Sequence, residues 1–139
     1  MEIDPTFGHW LAGFIAGEGC FTITAEGRYW RLAFVINLRD DDADILREIQ
    51  SRLGFGQLYP KKAKGASQPQ MSWQVQTLDE CLQLIYVLDQ FSLRARKAKD
   101  YHIWRRAVFA KSAKEPKRIS ELANELKEAR AYKASDSAE

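Results

Sequence analysis

One stretch near the amino terminus constrains the fold of this 139-residue chain more than any other. It reads LAGFIAGEGCF from Leu11 to Phe21 and combines an apolar helix body with small residues spaced four apart. Gly13 and Gly17 form one such pair, and residues at i and i+4 share one side of a helix. That side lets another backbone approach closely. The stretch therefore predicts a helix built for close packing, against a second chain or against another element of the same chain.

The same stretch predicts where the helix ends and which group lies there. Gly19 favours the left-handed conformation that ends many helices, so we expect a helix over about residues 6–17. Asp4 is suited to cap its start and Pro5 to its first turn. Glu18 would then lie beside carbonyls without intrahelical partners, at the negative end of the helix dipole. Such converging oxygens suit a hard divalent cation; the alternative is a solvated carboxylate.

Composition is that of an ordinary globular protein, with 45% hydrophobic and 29% charged residues. The length suits one domain with a real core. There is no apolar run long enough to span a membrane, and the acidic start is unlike a signal peptide. We therefore expect an intracellular, soluble protein, in the cytoplasm of a prokaryote or in an organelle if the gene is organellar. Cys20 and Cys81 have no metal-binding or redox spacing, and we expect both to be reduced and buried.

Charge is unevenly distributed along the chain although the net charge is only +2. Acidic residues crowd residues 40–48, whereas basic residues crowd residues 61–64 and 94–106. Segregation of this kind creates a basic face even when the total is near neutral. A basic face is compatible with a nucleic-acid partner.

Periodicity predicts an α+β fold. Hydrophobic residues alternate with polar ones over residues 20–37 and again over residues 57–76, which indicates two β-hairpins. Helical patterns precede each hairpin and follow the second, where Thr77 to Glu80 form a capping box. The order α-β-β-α-β-β-α favours one antiparallel sheet with helices on its apolar face and a polar face left open.

The predicted organisation has three parts. The core domain occupies residues 1–111 and includes a helix after the basic segment. A carboxyl-terminal helical extension follows over residues 112–132, beyond a break at Pro116. The small polar residues 133–139 form a tail that we expect to be disordered.

The stretch from Leu11 resembles the signature of the LAGLIDADG homing endonucleases. Five residues match it letter for letter: Leu11, Ala12, Gly13, Ile15 and Gly19. Glu18 stands where the family has an essential aspartate, and the resemblance extends over about residues 7–111. It implies the family's αββαββα fold, with a saddle-shaped antiparallel sheet and helices on one face.

The resemblance also implies a function. Family members with one motif per chain act as homodimers that hydrolyse double-stranded DNA at a long, partly palindromic site, in intron homing. Two copies of Glu18 would meet near the twofold axis and hold Mg²⁺ with the Gly17 backbone carbonyl; Mn²⁺ or Ca²⁺ can take the same place. No small-molecule cofactor and no membrane partner is implied. The implied dimer interface consists of Leu11, Ala12, Gly13, Ile15, Ala16 and Gly17.

A second segment resembles a family motif near the scissile phosphate. LRARKAKDY, from Leu93 to Tyr101, is similar to Leu-x-x-Lys-Lys-x-x-Asp-(Phe/Tyr). Arg96 takes the first lysine position and Lys97 the second. Guanidinium cannot accept a proton, so an electrostatic role suits Arg96 and proton chemistry suits Lys97. With Glu18, they are the candidate catalytic residues; the alternative is a solvated basic helix start.

A third family position, often Gln, follows the second strand and orients water. It falls on Leu38 in this chain. The neighbouring Asn37 or Arg39 are the candidates to substitute for it.

The polar sheet face is the candidate DNA-reading surface. Gln and Arg can pair bidentately with adenine and guanine edges, and Lys62 and Lys64 suit phosphates. The candidate contacts are Thr22, Thr24, Glu26, Arg28, Tyr29, Arg31, Asn37, Arg39, Tyr59, Lys61, Lys62, Lys64, Gln68, Gln70, Ser72, Gln74 and Gln76. The alternative is a polar face that is merely solvated. Two further alternatives for the protein are a catalytically inactive DNA-binding protein and an RNA-splicing maturase of the same fold.

Overall fold

The chain alternates helices with two β-hairpins, as the sequence pattern predicts. The structure is a computed structural model that describes residues 2–132, so the predicted tail at 133–139 lies outside the described residues. The helices are α1 (Pro5–Glu18), α2 (Ala43–Leu53, preceded by a 3₁₀ turn at Asp40–Asp42), α3 (Leu78–Gln90), α4 (Ala95–Ser112) and α5 (Pro116–Arg130). The strands are β1 (Gly19–Glu26), β2 (Tyr29–Arg39), β3 (Gln57–Lys61) and β4 (Gln70–Val75).

The four strands form one antiparallel sheet in the order β1-β2-β4-β3. Phe21 lies opposite Phe34, and Phe34 lies opposite Val75. Residues that are directly opposite each other point to the same face, so these three side chains face the helices together. The α+β class and the single antiparallel sheet are thereby confirmed.

Large aromatic side chains fill the space between sheet and helices. Phe21 lies at its centre, with ring centroids 4.7 Å from Phe34 and 5.1 Å from Trp104. All three are fully buried. Trp73 is also fully buried, and its indole N–H donates to the Phe55 carbonyl at 3.2 Å, so its one polar group is satisfied. Burying an aromatic side chain of this size contributes roughly 1.5–3 kcal/mol to folding.

The predicted start of α1 is confirmed, but its end differs from the prediction. The Asp4 carboxylate accepts a 3.1 Å hydrogen bond from the Phe7 N–H, and Pro5 follows in the first turn. Gly19 has a φ of −81°, so it is extended and not left-handed. Glycine is required there for a different reason. A Cβ at Gly19 would lie 2.6 Å from the Phe34 ring, so α1 passes close over the sheet.

Two other sequence-predicted signals act as expected. Gly54 ends α2 in the left-handed conformation, with a φ of 81°. The Thr77 side chain accepts a 3.1 Å bond from the Glu80 N–H and caps α3. Local chemistry therefore sets both boundaries.

The carboxyl-terminal helix α5 packs into the same core as the rest of the chain. Ile119, Leu122 and Leu126 are buried in one cluster with the aromatic residues of the sheet. The predicted boundary at residue 111 falls inside α4. Over residues 2–132, no helix is both long and apolar enough to cross a bilayer.

Candidate active site and nucleic-acid interface

Glu18 is the last residue of α1, and its side chain is exposed. Helix α1 passes into β1 at Gly19 without a linker. The Gly19 N–H donates to the Ile15 carbonyl and so satisfies one of the carbonyls at the helix end. The Glu18 carboxylate therefore lies at the negative end of a helix, where a cation is favourable.

Lys97 reaches the same place from another element. Its ammonium donates to the carbonyl of Gly19, the residue directly after Glu18. Lys97 lies in the first turn of α4 and is half-buried. Lys97, which is distant in sequence, is therefore bound at the junction of α1 and β1, one residue after Glu18.

Arg96, the other predicted basic residue of this segment, makes a different contact in this structure. Its side chain is exposed, and its guanidinium donates at 3.4 Å to the backbone carbonyl of Arg130 in α5. Successive residues of a helix point about 100° apart, so Arg96 and Lys97 cannot both face the end of α1. Of the two, Lys97 is the residue that bonds to the junction of α1 and β1, and the catalytic role of either stays a prediction.

Within residues 2–132, no three His, Cys, Asp or Glu side chains are grouped so that they could hold a metal ion. Glu18 and the neighbouring backbone carbonyls are oxygen donors, which is the donor type that Mg²⁺ prefers. This donor set fits a divalent cation if a second copy of the chain completes it.

The small-residue face of α1 is exposed, but part of the predicted interface is wrong. Gly13 and Gly17 are exposed, and an added Cβ at either would meet nothing within 4 Å. Leu11, Ala12 and Ile15 instead point into the core, with 0%, 5% and 0% of their surface exposed. They cannot contact a second chain because their own chain covers them. Ala16 lies at the edge of the exposed face and is half-buried.

Two aromatic residues on this face were missed by sequence reasoning. The Trp10 and Phe14 rings stack with centroids 5.1 Å apart and planes 12° apart. Trp10 is 43% exposed. The signal was the spacing of Trp10 and Phe14 with Gly13 and Gly17, at i, i+3, i+4 and i+7. We call these four residues the α1 outer face.

The sheet face turned away from the helices is called the open face, and the strand register defines its rows. The rows are Glu26–Tyr29, Thr24–Arg31, Thr22–Ala33, Cys20–Val35–Gln74–Gln57, Asn37–Ser72–Tyr59 and Arg39–Gln70–Lys61. Most of the predicted reading residues therefore do lie on one surface. Gln57 also lies there, although it was not among them; its place in the alternation was the available signal.

Cysteine burial was predicted wrongly for one of the two residues. Cys20 is exposed, whereas Cys81 is buried. Burial raises the pKa of the Cys81 thiol to about 12, and the nearby Glu80 carboxylate adds to the effect. Cys20 lies on the open face because the next residue, Phe21, points into the core, and successive side chains of a strand point to opposite faces.

Ser72 is on the open face but is covered there, so its predicted direct DNA contact is wrong for this conformation. None of its surface is exposed. The Gln74 amide donates to the Ser72 hydroxyl at 2.9 Å, and the Gln76 amide donates to Gln74. These three side chains form a hydrogen-bonded line along β4.

The third family position is resolved by the alternation of β2. Leu38 is half-buried and packs against the core, while Asn37 is exposed on the open face. Arg39 is also on that face and forms a 2.7 Å ion pair with Asp41. Their hydrogen bond raises the pKa of Arg39 and lowers that of Asp41. Of the two candidates for the water-orienting role, Arg39 is thus held by an ion pair, whereas Asn37 is exposed on the open face.

Exposed polar residues continue the open face beyond both ends of the sheet. Lys62, Lys64 and Gln68 are exposed in the loop between β3 and β4 and adjoin the Lys61–Gln70 row. At the other end, Arg28 lies in the turn between β1 and β2, beside Tyr29, which is 78% exposed. The combined surface is rich in hydrogen-bonding and cationic groups.

Comparison with known proteins places the chain in a family. The model of the LAGLIDADG endonuclease family matches residues 11–108. The chain is 30% identical over 107 residues to the probable intron-encoded endonuclease Cox1-I1b of Schizosaccharomyces pombe. This alignment covers 73% of the chain and 27% of that protein. The chain therefore belongs to the LAGLIDADG endonuclease family.

Solved structures share the fold. The LAGLIDADG meganuclease I-AabMI, bound to uncleaved DNA, matches with a TM-score of 0.74 and 27% identity, over 84% of this chain and 43% of that one. The archaeal intron-encoded homing endonuclease I-Vdi141I, complexed with DNA, matches with a TM-score of 0.79 and 20% identity, over 94% and 89%. The chain thus spans about a quarter of the curated relative and less than half of I-AabMI.

Proposed function

We propose that this chain is a Mg²⁺-dependent, site-specific double-strand DNA endonuclease that works as a homodimer. The observation that carries the proposal is the bond from the Lys97 ammonium to the Gly19 carbonyl, one residue after the exposed Glu18 and at the end of the helix that carries the α1 outer face. A second chain packed on that face would bring a second Glu18 to the first. Two carboxylates near a twofold axis give one site for each DNA strand.

The α1 outer face supports the dimer. Gly13 and Gly17 leave room for a second backbone, and the stacked Trp10 and Phe14 offer apolar surface that is costly to leave in water. A stable solution dimer needs an interface larger than one helix face, roughly 800 Å² on each partner, so adjacent elements must also take part.

Glu18 and the Gly17 carbonyl would hold the metal. When bound, Mg²⁺ supplies charge neutralisation at the phosphate and a more acidic bound water. Lys97 places a cationic ammonium beside this site, where it can stabilise negative charge that develops on a phosphate. Its hydrogen bond to the Gly19 carbonyl fixes its position before substrate arrives.

The open face would read the DNA. Strand β2 has 11 residues and spans about 36 Å at roughly 3.3 Å per residue. At about 3.4 Å per base pair, each subunit covers about ten pairs. Two subunits therefore read a partly palindromic site of about 18–22 pairs. Ala33 and Val35 offer no hydrogen bonds, so the pairs above them are read through DNA shape.

A pair of substitutions at Glu18 tests the nuclease. Glu18→Gln should abolish cutting and leave DNA binding within about threefold, because it removes the charge that holds the metal but little contact area. Glu18→Asp, which restores the family's acid, should cut. Cleavage of a duplex by Glu18→Gln at the wild-type rate in Mg²⁺ would refute the metal assignment.

Selection from a randomised duplex library tests the target. The expected result is a partly palindromic site of about 18–22 pairs. Recovery of a short asymmetric site, or no preference among duplexes, would contradict the dimeric nuclease.

A DNA-binding protein without cleavage is the second candidate. The outward turn of Arg96 and the inward packing of Leu38 favour it, because both depart from the family's site. An RNA-splicing maturase is the remaining alternative, consistent with the intron-encoded relative. Duplex cleavage by the wild-type protein in Mg²⁺ would distinguish the nuclease from the inactive DNA-binding protein and from the maturase. Tight binding to its own intron RNA, without cleavage of DNA, would identify the maturase.

A further inference from the structure

Asp100 is the only charged side chain among residues 2–132 that is buried in the core, with 8% of its surface exposed. A buried carboxylate is strongly unfavourable unless a cation pairs with it. Its partner is Arg130, whose Nε lies 3.3 Å from the Asp100 carboxylate. Arg130 is the last residue of α5 and lies beyond the residues matched by the family model, which ends at 108.

Arg130 makes a second contact, at the free edge of the sheet. Its guanidinium also donates to the Phe21 carbonyl of β1. Strand β1 is an edge strand, so one row of its backbone groups has no strand partner. Gly19 and Phe21 are two residues apart, and their carbonyls point to the same side. Lys97 binds the first carbonyl and Arg130 binds the second.

These contacts hold the first turns of α4 in place. Lys97 and Asp100 are three residues apart and share one face of α4. Arg130 therefore contacts two places that also involve Lys97. It pairs with Asp100, on the same face of α4 as Lys97, and it bonds to the edge of β1, where Lys97 also bonds. The Arg130 carbonyl also accepts a 3.4 Å bond from Arg96.

The start of α4 needs such support. Ala95, two residues before Lys97, has a φ of 59°, which is unfavourable for a residue with a Cβ. Conformations of this kind persist when surrounding contacts fix them.

We propose that Arg130 is a positioning residue, which fixes α4 against the edge of β1 so that the Lys97 ammonium stays beside Glu18. On this proposal, helix α5 contributes to the site by positioning Lys97 through Arg130. The catalytic consequence rests on the proposed nuclease function, but the structural consequence for Lys97 does not.

Kinetics of three variants test the catalytic consequence. Arg130→Gln should lower kcat by about 10- to 100-fold, because small displacements of a catalytic group have effects of this size. KM for the DNA should stay within about twofold, and Arg130→Lys should recover part of kcat. Arg106→Gln is the matched control, because the Arg106–Glu125 ion pair also joins α4 to α5 but is exposed; it should leave kcat within about twofold. Unchanged kcat in Arg130→Gln, or a rise in KM alone, would overturn the proposal.

Chemical labelling of lysines tests the same proposal without cleavage. A small acylating reagent, quantified peptide by peptide, should label Lys97 several-fold faster in Arg130→Gln than in the wild type. The exposed Lys64, in the loop between β3 and β4, serves as internal reference and should not change. If the wild type fails to cut DNA, the nuclease proposal fails, and the labelling rate still decides the positioning role. Equal labelling of Lys97 in both proteins would overturn it. If Arg130→Gln unfolds, Asp100→Asn/Arg130→Gln removes the unpaired charge and is used in its place.

Discussion

Cys20 and Val35 lie directly opposite each other on β1 and β2, and both side chains are on the open face. Cys20 is exposed and Cys81 is buried in the core. The chain thus carries a natural chemical probe on the surface that we propose reads DNA, in the edge strand two residues after Glu18.

Thiol labelling should therefore report on DNA binding. At mildly alkaline pH a small alkylating reagent should modify Cys20 and leave Cys81, whose thiol keeps its proton because burial raises its pKa to about 12. Cys20→Ser should abolish the native-state labelling. A duplex containing the target should protect Cys20, whereas an equal concentration of unrelated small anions should not. Fast labelling of Cys20 in the DNA complex would place the DNA elsewhere.

The α1 outer face predicts opposite outcomes for two glycine substitutions. Gly13→Leu should leave the folded monomer intact, since a Cβ there meets nothing within 4 Å, but should dissociate the dimer. Gly8→Ala should instead destabilise each chain by about 1–3 kcal/mol, because its Cβ would lie 2.4 Å from the Phe91 ring. Sedimentation measures the first effect and urea unfolding the second. A monomeric wild type at micromolar concentration would count against the interface.

Acid stability should depend on Asp89. Burial alone would raise its pKa, but hydrogen bonds from Arg105 and from the Tyr101 hydroxyl, the latter at 2.7 Å, outweigh burial and lower it below 3.8. A carboxyl group whose pKa is lower in the folded than in the unfolded protein stabilises the fold at pH values above its unfolded-state pKa. This stabilisation is lost as the pH falls through the folded-state pKa. Asp89→Asn should therefore be less stable than the wild type at neutral pH, and the gap should narrow below about pH 4.

Urea unfolding at neutral and acidic pH measures this gap. Asp44→Asn is the control, because its ion pair with Arg47 leaves the Asp44 side chain 96% exposed. A constant gap between wild type and Asp89→Asn at both pH values would show that the carboxylate is not the source.

The turn between α4 and α5 offers a stabilising substitution. Lys114 has a φ of 59°, and the following Glu115 N–H donates to the Ala110 carbonyl at 2.9 Å, which is the hydrogen bond of a Schellman motif. Glycine is favoured at this position. Lys114→Gly should raise the free energy of unfolding by about 1 kcal/mol, measured by thermal or urea denaturation. Lys117→Gly, in the first turn of α5, should instead lower it, by less than about 1 kcal/mol.

Boundaries set by local chemistry could be predicted from the sequence. Asp4 caps α1, Gly54 ends α2 and Thr77 caps α3, each through contacts within a few residues. The end of α1 could not be predicted in detail. Gly19 is required by the Phe34 ring, which is brought to it by strand pairing and not by the local sequence.

The buried side of α1 also could not be predicted from the sequence. The helix is apolar around most of its circumference, so its pattern did not separate the buried Leu11 and Ile15 from the half-buried Phe14 and the exposed Trp10. Only the packing of α1 on the sheet makes that distinction. Similarly, the pairing of Asp100 with a residue 30 positions later has no local signal.

Because α1 passes directly into β1 after Glu18, α1 and the first hairpin would move together as one rigid unit. In a dimer joined through α1, any rotation of one helix against the other swings both open faces by the same angle. The spacing between the two half-sites on the DNA would then be set by side chains that never touch a base. The size of the side chains at positions 10 and 14 would then determine the separation of the half-sites.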